Sequence, residues 1–151
     1  MPNKFSKGEY TLKNPKKYLG KTPVIYRSSW EISLMKVLDE NPAVLGWSSE
    51  SISIPYCNPL TGKWCMYIPD FMAIYLDKKN KQHVEIIEVK PEKENPFASV
   101  SKTGGRQTRT QLVRAINQAK FGAAMAYCHK RGWVFRVMTE RDLFGIPGKT
   151  K

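Results

Sequence analysis

Two short segments of this chain place carboxylate and ammonium groups where they could act together. One contains Asp70, which follows a proline, and the other is Glu88-Val89-Lys90. Glu88 and Lys90 are two positions apart in an apolar run typical of a β-strand, so their side chains leave the same face of the sheet. If a neighbouring strand brings Asp70 to that face, the two carboxylates can hold a divalent metal ion and activate a water molecule. Hydrolysis of a phosphodiester bond uses that chemistry.

The predicted metal is Mg²⁺, with Mn²⁺ able to substitute, because carboxylate oxygens are hard ligands. Alternation along a predicted strand over 64–74 places Asp70 on one face with apolar residues that include Trp64 and Met66. An ionised carboxylate on such a surface is costly unless it is paired or binds a metal. Two such groups on neighbouring strands also repel each other, and a divalent cation removes both penalties. Lys90 would position the water and offset charge on the reacting phosphate. The alternative is that Asp70, Glu88 and Lys90 form ordinary salt bridges at strand ends.

Glu31 is a further candidate for the metal site. A predicted helix begins near Ser28, and its apolar stripe consists of Trp30, Leu34, Met35, Val37 and Leu38. Helical geometry places Glu31 inside the arc spanned by Trp30, Leu34, Met35 and Leu38, and so directs it toward the core. Its other role is structural, since Ser28 and Glu31 have the spacing of a capping box, in which each side chain binds a backbone N–H at the helix start. The two roles are not exclusive.

The charge balance indicates a polyanionic partner. The chain of 151 residues carries 25 Lys and Arg against 13 Asp and Glu, a net charge of +12, and is 41% hydrophobic. These values predict one folded domain over 1–151 and favour a nucleic-acid partner. No apolar run approaches the length of a membrane span, and the first residues lack a signal-peptide core, so we expect a cytoplasmic protein with no membrane partner. The three cysteines include no CxxC pair, which favours free buried thiols.

Hydrophobic periodicity predicts helices combined with strands. The strand near Lys90 is apolar on both faces at its end, which is typical of a central strand. The fold class is therefore α/β (α+β), with the element order αβββαβ. The predicted helices run from Ser28 to Asn41, over 110–130 and briefly after Thr139, and the predicted strands cover 52–56, 64–74, 84–90 and 133–138.

Two basic segments adjoin these elements. Residues 1–27 form a predicted N-terminal arm that packs its aromatic side chains on the domain, while its lysines either contact nucleic acid or remain solvated. Residues 91–108 form a predicted mobile basic loop, because loops of this length are uncommon unless they are functional or mobile. Lys120 falls within the apolar stripe of the next helix, so it either snorkels or reaches a substrate phosphate. The predicted DNA-binding residues are Lys102, Arg106, Arg109, Lys120 and Gln118.

Asp70 and Glu88-Val89-Lys90 match the motif of the PD-(D/E)xK nucleases, and the chain is identified as a member of that superfamily. Two further stretches, Arg27-Ser28-Ser29-Trp30-Glu31 and Ile116-Asn117-Gln118-Ala119-Lys120, resemble the head completion nucleases of large tailed phages. A weaker resemblance extends to the TnsA-type transposon endonucleases, which carry a helix-borne Glu ahead of the Asp, as Glu31 does here. The resemblance implies a restriction-endonuclease-like core, in which helices flank a central mixed sheet.

The resemblance also implies a Mg²⁺-dependent deoxyribonuclease that acts on double-stranded DNA late in capsid assembly, so that a tail can join. Its implied partners are phage head or portal proteins, and its implied location is the host cytoplasm during assembly, or the virion. Two alternatives remain: a non-catalytic DNA-binding protein at the capsid exit, and a transposase-type strand cleaver that needs a partner recombinase. The implied catalytic residues are Asp70, Glu88, Lys90 and Glu31, and the implied metal ligands are Asp70, Glu88, Val89 and Glu31.

Overall fold

A computed structural model of the protein describes residues 7–91, 109–139 and 142. Within them the helices are α1 (Ser29–Glu40) and α2 (Arg109–Arg131), and a short 3₁₀ helix covers Pro15–Lys17. The strands are β1 (Gly8–Tyr10), β2 (Val24–Tyr26), β3 (Val44–Ser49), β4 (Ile54–Cys57), β5 (Trp64–Tyr67), β6 (Phe71–Leu76), β7 (Gln82–Val89) and β8 (Val134–Met138).

A four-stranded mixed sheet forms the centre of the fold, in the order β3-β6-β7-β8. β6 runs antiparallel to both β3 and β7, whereas β8 pairs with β7 in parallel. The strand that leads to Lys90 is therefore central, as predicted, and its consecutive residues Ile86 and Ile87 are both buried. The elements α1, β3, β6, β7, α2 and β8 follow the predicted order αβββαβ, and the restriction-endonuclease-like fold class is confirmed.

The stretch predicted as one strand over 64–74 forms two strands in different sheets. β5 pairs with β4 as a separate hairpin, while β6 joins the central sheet. The break falls at Pro69, which has no backbone N–H to donate to a ladder. The shared face predicted for Trp64, Met66 and Asp70 is therefore wrong, and both Trp64 and Met66 are exposed on the hairpin.

β3 takes the place in the central sheet that the sequence analysis assigned to the segment 52–56. Gly46, Trp47 and Ser48 are consecutive and all buried, so this strand shows no alternation of polar and apolar side chains. Its register against β6 also shifts between Val44 and Gly46, which further interrupts the two-residue alternation of side chains. The segment 52–56 instead leads into β4 and belongs to the separate hairpin.

α1 begins where the sequence predicts. Ser28 is the N-cap, and its hydroxyl accepts the N–H of Glu31 at 3.1 Å. In a capping box the Glu31 carboxylate would accept the N–H of Ser28. Here Glu31 Oε1 instead accepts the N–H of Arg27, at 2.9 Å. The predicted apolar stripe is wrong at Val37, which is half exposed, and it omits Asp39, which is fully buried.

Hydrogen bonds to the carboxylate of Asp39 link the N-terminal segment to the end of α1. It accepts hydrogen bonds from the hydroxyl of Tyr10 at 2.7 Å and from the N–H groups of Lys13 and Asn14 at 2.8 and 3.1 Å. Burial would raise the pKa of Asp39, but these hydrogen bonds favour the charged form and lower it overall. Tyr10 and Val24, from the β1–β2 hairpin, join the main core cluster. Aromatic side chains of the N-terminal segment thus pack on the domain.

α2 packs against the β4–β5 hairpin and β8, where Phe121 and Tyr67 belong to a second core cluster. In the described part of the chain, neither helix is long and apolar enough to cross a membrane. The cysteines are free, as predicted, but they are not uniformly buried. Cys128 is buried, whereas Cys57 is exposed on the outer side of the hairpin and Cys65 is partly exposed.

Candidate active site

The ends of β6 and β7 bring two carboxylates together. In this antiparallel pair Phe71 lies opposite Ile87, so the next step of the ladder places Asp70 opposite Glu88. The N–H of Val89 donates to Asp70 Oδ2 at 2.8 Å, so the Asp70 carboxylate is bonded to the strand that carries Glu88. Both carboxylates therefore lie together at one end of the two inner strands of the central sheet.

Glu88 is buried, with 5% of its surface exposed, and its two oxygens have different partners. Oε1 accepts a hydrogen bond from the hydroxyl of Tyr67 at 2.6 Å. Oε2 lies 3.7 Å from Nζ of Lys90, which is the distance of an ion pair and too long for a hydrogen bond. The structure thus brings together Asp70, Glu88 and Lys90, as the sequence predicts, and adds Tyr67 to them.

Both carboxylates are costly to ionise where they lie. Burial, followed by the charges of Glu88 and Glu31, raises the pKa of Asp70 well above its usual range, and the ammonium of Lys90 opposes that rise. Burial also raises the pKa of Glu88, against the hydrogen bond from Tyr67 and the charge of Lys90. The chain's own cations therefore compensate these two like charges, of which Glu88 is buried and Asp70 partly buried, only in part.

Glu31 lies in the first turn of α1, near this pair. Burial is the largest influence on its carboxylate and raises its pKa, while the hydrogen bond from Arg27 lowers it. Its charge contributes to the raised pKa of Asp70, and the charge of Lys90 acts on Glu31 in turn. Within residues 7–91, 109–139 and 142, no three His, Cys, Asp or Glu side chains converge as a metal-binding group. Glu31 is therefore an electrostatic neighbour of the Asp70–Glu88 pair, and its role as a ligand stays a prediction.

Comparison with known proteins agrees with this geometry. A family model described as the TnsA-like endonuclease N terminal matches residues 41–140, which contain both carboxylates. The chain belongs to the TnsA-like endonuclease family. It is also 35% identical over 148 residues to the head completion nuclease of Enterobacteria phage T4, in an alignment that covers 94% of this chain and 96% of that protein. No solved structure matches the chain. The predicted resemblances to both kinds of nuclease are confirmed.

Helix α2 adds Lys120 to the surroundings of the carboxylates. Its Nζ lies 5.8 Å from the ring centre of Tyr56 and 5.7 Å from that of Tyr67. Burial, followed by the charge of Lys90, lowers the pKa of Lys120, and the charge of Glu88 opposes that fall. The ammonium thus rests on two aromatic faces beside the site, which is a more confined position than that of a lysine snorkelling freely to solvent.

The other residues predicted to bind DNA are less tightly placed. Gln118 is exposed on α2, and Arg109 is exposed at the first residue of that helix. Lys102 and Arg106 lie outside the described residues, as does most of the basic loop predicted over 91–108. Contact between these residues and DNA stays a prediction.

Tyr67 is the site residue that the sequence analysis missed. Its neighbours Trp64 and Met66 were assigned to the face of Asp70, and Tyr67 falls on the opposite side of the strand. One signal was available, because alternation puts Tyr67 on the face opposite to Met66, and a buried tyrosine hydroxyl usually needs a hydrogen-bond partner. The identity of that partner depends on the contact between the hairpin and β7. A local sequence pattern cannot predict this contact.

The donors of the Asp70–Glu88 pair fit a hard divalent cation. Both groups supply carboxylate oxygens, which suit Mg²⁺ or Mn²⁺ better than soft metals. Their raised pKa values reflect a buried negative charge that a cation would offset. Val89, between Glu88 and Lys90, can contribute its backbone carbonyl, the remaining ligand that the motif implies.

Proposed function

We propose that this protein is a metal-dependent deoxyribonuclease that hydrolyses phosphodiester bonds. The proposal rests on one observation: Asp70 lies opposite Glu88 at one end of the inner strands β6 and β7, and Lys90 Nζ lies 3.7 Å from Glu88 Oε2. Membership of an endonuclease family supports the same class of reaction. The proposed catalytic residues are Asp70, Glu88, Lys90 and Glu31.

Asp70, Glu88 and the carbonyl of Val89 would hold Mg²⁺ or Mn²⁺, with Glu31 as a further carboxylate. When bound, the ion would polarise the scissile phosphate and lower the pKa of a water molecule. Lys90 stands beside Glu88 and would donate to the oxygen on which negative charge develops.

Double-stranded DNA is the proposed substrate. The chain's net charge of +12 attracts a polyanion over a wide surface. Near the site, the ammonium groups of Lys90 and Lys120 flank Glu88, so a phosphate that approaches the carboxylates meets positive charge as well. Arg109 and Gln118, both exposed on α2, would contact the DNA backbone further away.

We further propose that the enzyme acts in phage head completion and head–tail joining, by processing packaged DNA in the host cytoplasm during assembly. The support is the 35% identity to the T4 head completion nuclease across nearly the whole of both chains. Head or portal proteins would then be its partners, and the virion a second location.

A plasmid-nicking assay tests the reaction. Wild-type protein should relax and linearise supercoiled plasmid with Mg²⁺ and should fail to do so with EDTA. Asp70→Asn and Glu88→Gln should still bind DNA but not cut it. Glu85→Gln is the matched control, because Glu85 lies on the same strand but pairs with Tyr75 and Arg136 instead of Asp70. Undiminished cutting by Asp70→Asn and Glu88→Gln would reject the site.

Complementation tests the biological role. A phage that lacks its head completion nuclease should regain infectious particles when wild-type protein is supplied, and not when Glu88→Gln is supplied. Rescue by both proteins would favour the non-catalytic DNA-binding alternative. The TnsA-like family match keeps a partner-dependent strand cleaver as the second candidate, and cleavage by the purified chain alone would reject that candidate.

A further inference from the structure

Tyr67 ends β5 with a buried side chain, of which 4% is exposed. Its ring packs against Phe121 of α2 and Phe135 of β8, with ring centres 6.1 and 6.5 Å away. From this position its hydroxyl reaches Oε1 of Glu88 at 2.6 Å. Two other elements thus hold the ring, and the ring sets the direction from which Glu88 receives a hydrogen bond.

This hydrogen bond gives the two oxygens of Glu88 different roles. A hydroxyl that donates to a charged carboxylate makes a short, strong bond, and 2.6 Å lies in that range. A tyrosine phenol is protonated at neutral pH and so acts as the donor in this bond. With Oε1 held by Tyr67, rotation of the carboxylate is restricted, and Oε2 stays on the side of Lys90.

We infer that Tyr67 is a positioning residue that orients the Glu88 carboxylate for metal binding, an inference that rests on the proposed function. A carboxylate that rotates freely must lose that freedom when it binds a cation, whereas one already held by a hydrogen bond is oriented beforehand. Groups that hold metal ligands in this way typically change metal affinity or activity by about 10–100-fold when they are removed. The contact of Tyr67 with Glu88 is of this kind.

The β4–β5 hairpin offers a matched pair of substitutions. Tyr67→Phe removes the hydroxyl but keeps the ring that contacts Phe121 and Lys120. Tyr56→Phe removes a hydroxyl from the same hairpin and from a ring that also contacts Lys120. The Tyr56 hydroxyl interacts with Cys65 rather than with Glu88. Any effect found with Tyr67 and not with Tyr56 therefore belongs to the Glu88 contact.

The experiment compares Mn²⁺ binding and plasmid cleavage by wild type, Tyr67→Phe and Tyr56→Phe. Mn²⁺ binding is measured without DNA, from the electron paramagnetic resonance of the free ion. We expect Tyr67→Phe to bind Mn²⁺ about 10–100-fold more weakly and to cleave poorly at low Mg²⁺, with recovery as Mg²⁺ is raised. Tyr56→Phe should match wild type in both. In a Glu88→Gln background, Tyr67→Phe should weaken Mn²⁺ binding no further, because the group it orients has lost its charge.

Wild-type Mn²⁺ affinity in Tyr67→Phe would overturn the inference, whether or not thermal unfolding shows that variant to be less stable. An equal loss in Tyr56→Phe would also overturn it, since hairpin packing and not the Glu88 contact would then be responsible. Additive losses in the Glu88→Gln background would do the same. A folded wild-type protein that neither binds Mn²⁺ nor cuts DNA would instead reject the proposed function itself.

Discussion

The N–H of Val89 donates to Oδ2 of Asp70 at 2.8 Å, across the last step of the β6–β7 pair. This bond holds Asp70 in place although burial and the charge of Glu88 both disfavour its ionised form. An amide oxygen can accept the same N–H, so the bond does not require a charge. Substitutions that remove the charge and keep an acceptor therefore separate the chemistry of the site from its fold.

The combination of Asp70→Asn with Glu88→Gln should fold with at least wild-type stability in the absence of metal, because two neighbouring like charges with raised pKa values are removed. Mg²⁺ at about a hundredfold over its Kd should stabilise the wild type by about 2.7 kcal/mol, and it should leave the double variant unchanged. Thermal unfolding with and without Mg²⁺ measures both effects. An equal shift in the double variant would place the metal elsewhere.

Lys90→Ala should retain metal and DNA binding but lose cleavage. The side chain of Lys90 is 25% exposed and forms an ion pair with Glu88, so its donor is available where charge develops in the transition state. Loss of one such donor typically lowers kcat by about 10²–10³-fold. Single-turnover cleavage at saturating Mg²⁺ measures the loss, with Lys79→Ala, in the exposed β6–β7 turn, as the control. Comparable rates in both variants would remove Lys90 from the chemistry.

The shared face of Glu88 and Lys90 could be predicted from sequence because it depends on a short-range rule. Glu88 and Lys90 share a face by their spacing alone, and errors in strand bounds do not change that. The strand of Asp70 was predicted wrongly because alternation continues through 64–74 while the chain leaves one sheet and enters another. Which strand a segment pairs with is a tertiary contact, and only Pro69 marks the change locally.

Tyr67 and Asp39 have hydrogen-bond partners that hydrophobic periodicity cannot predict. The hydroxyl of Tyr67 meets Glu88, 21 residues later, and the carboxylate of Asp39 meets Tyr10, 29 residues earlier. Periodicity is measured over windows of roughly 11–18 residues, so neither partner is visible in the pattern. Buried polar side chains whose partners are distant in sequence are thus the residues whose contacts could not be predicted.

Asp39→Asn should destabilise the protein most at neutral pH. The folded pKa of Asp39 lies below its ordinary value, so its stabilisation is present above the unfolded pKa, about 4, and is lost as pH falls through the folded pKa. We expect a loss of about 2 kcal/mol near neutrality, typical of hydrogen bonds to a buried charge, and a smaller difference from wild type in acid. Urea unfolding across pH measures it. Glu40→Gln, at the exposed neighbouring position, should change little, and a pH-independent loss in Asp39→Asn would contradict the assignment.

DNA binding should weaken steeply with salt and show little sequence preference. Each phosphate contact that is removed should flatten the salt slope by about one unit, so neutralising three of the predicted contacts, Lys102, Arg106 and Arg109, should flatten it by about three. The matched control neutralises the three exposed lysines of the β6–β7 turn, Lys78, Lys79 and Lys81. That turn lies at the opposite end of β7 from Glu88, roughly 20–25 Å along the strand. Equal slopes for the two triple variants would exclude a specific role for Lys102, Arg106 and Arg109.

Glu31→Gln separates the two roles of Glu31. Its Oε1 accepts the N–H of Arg27 at 2.9 Å, and a glutamine oxygen can accept the same bond. Folding stability should therefore be near wild type, since a charge whose pKa is raised by burial has left. A hard divalent cation prefers the charged ligand, so cleavage should fall sharply and recover in part at higher Mg²⁺. Ser28→Ala provides the comparison, because losing this N-cap should cost about 1 kcal/mol of stability while the folded protein keeps its activity. Full activity in purified Glu31→Gln would leave Glu31 with its helix-capping role alone.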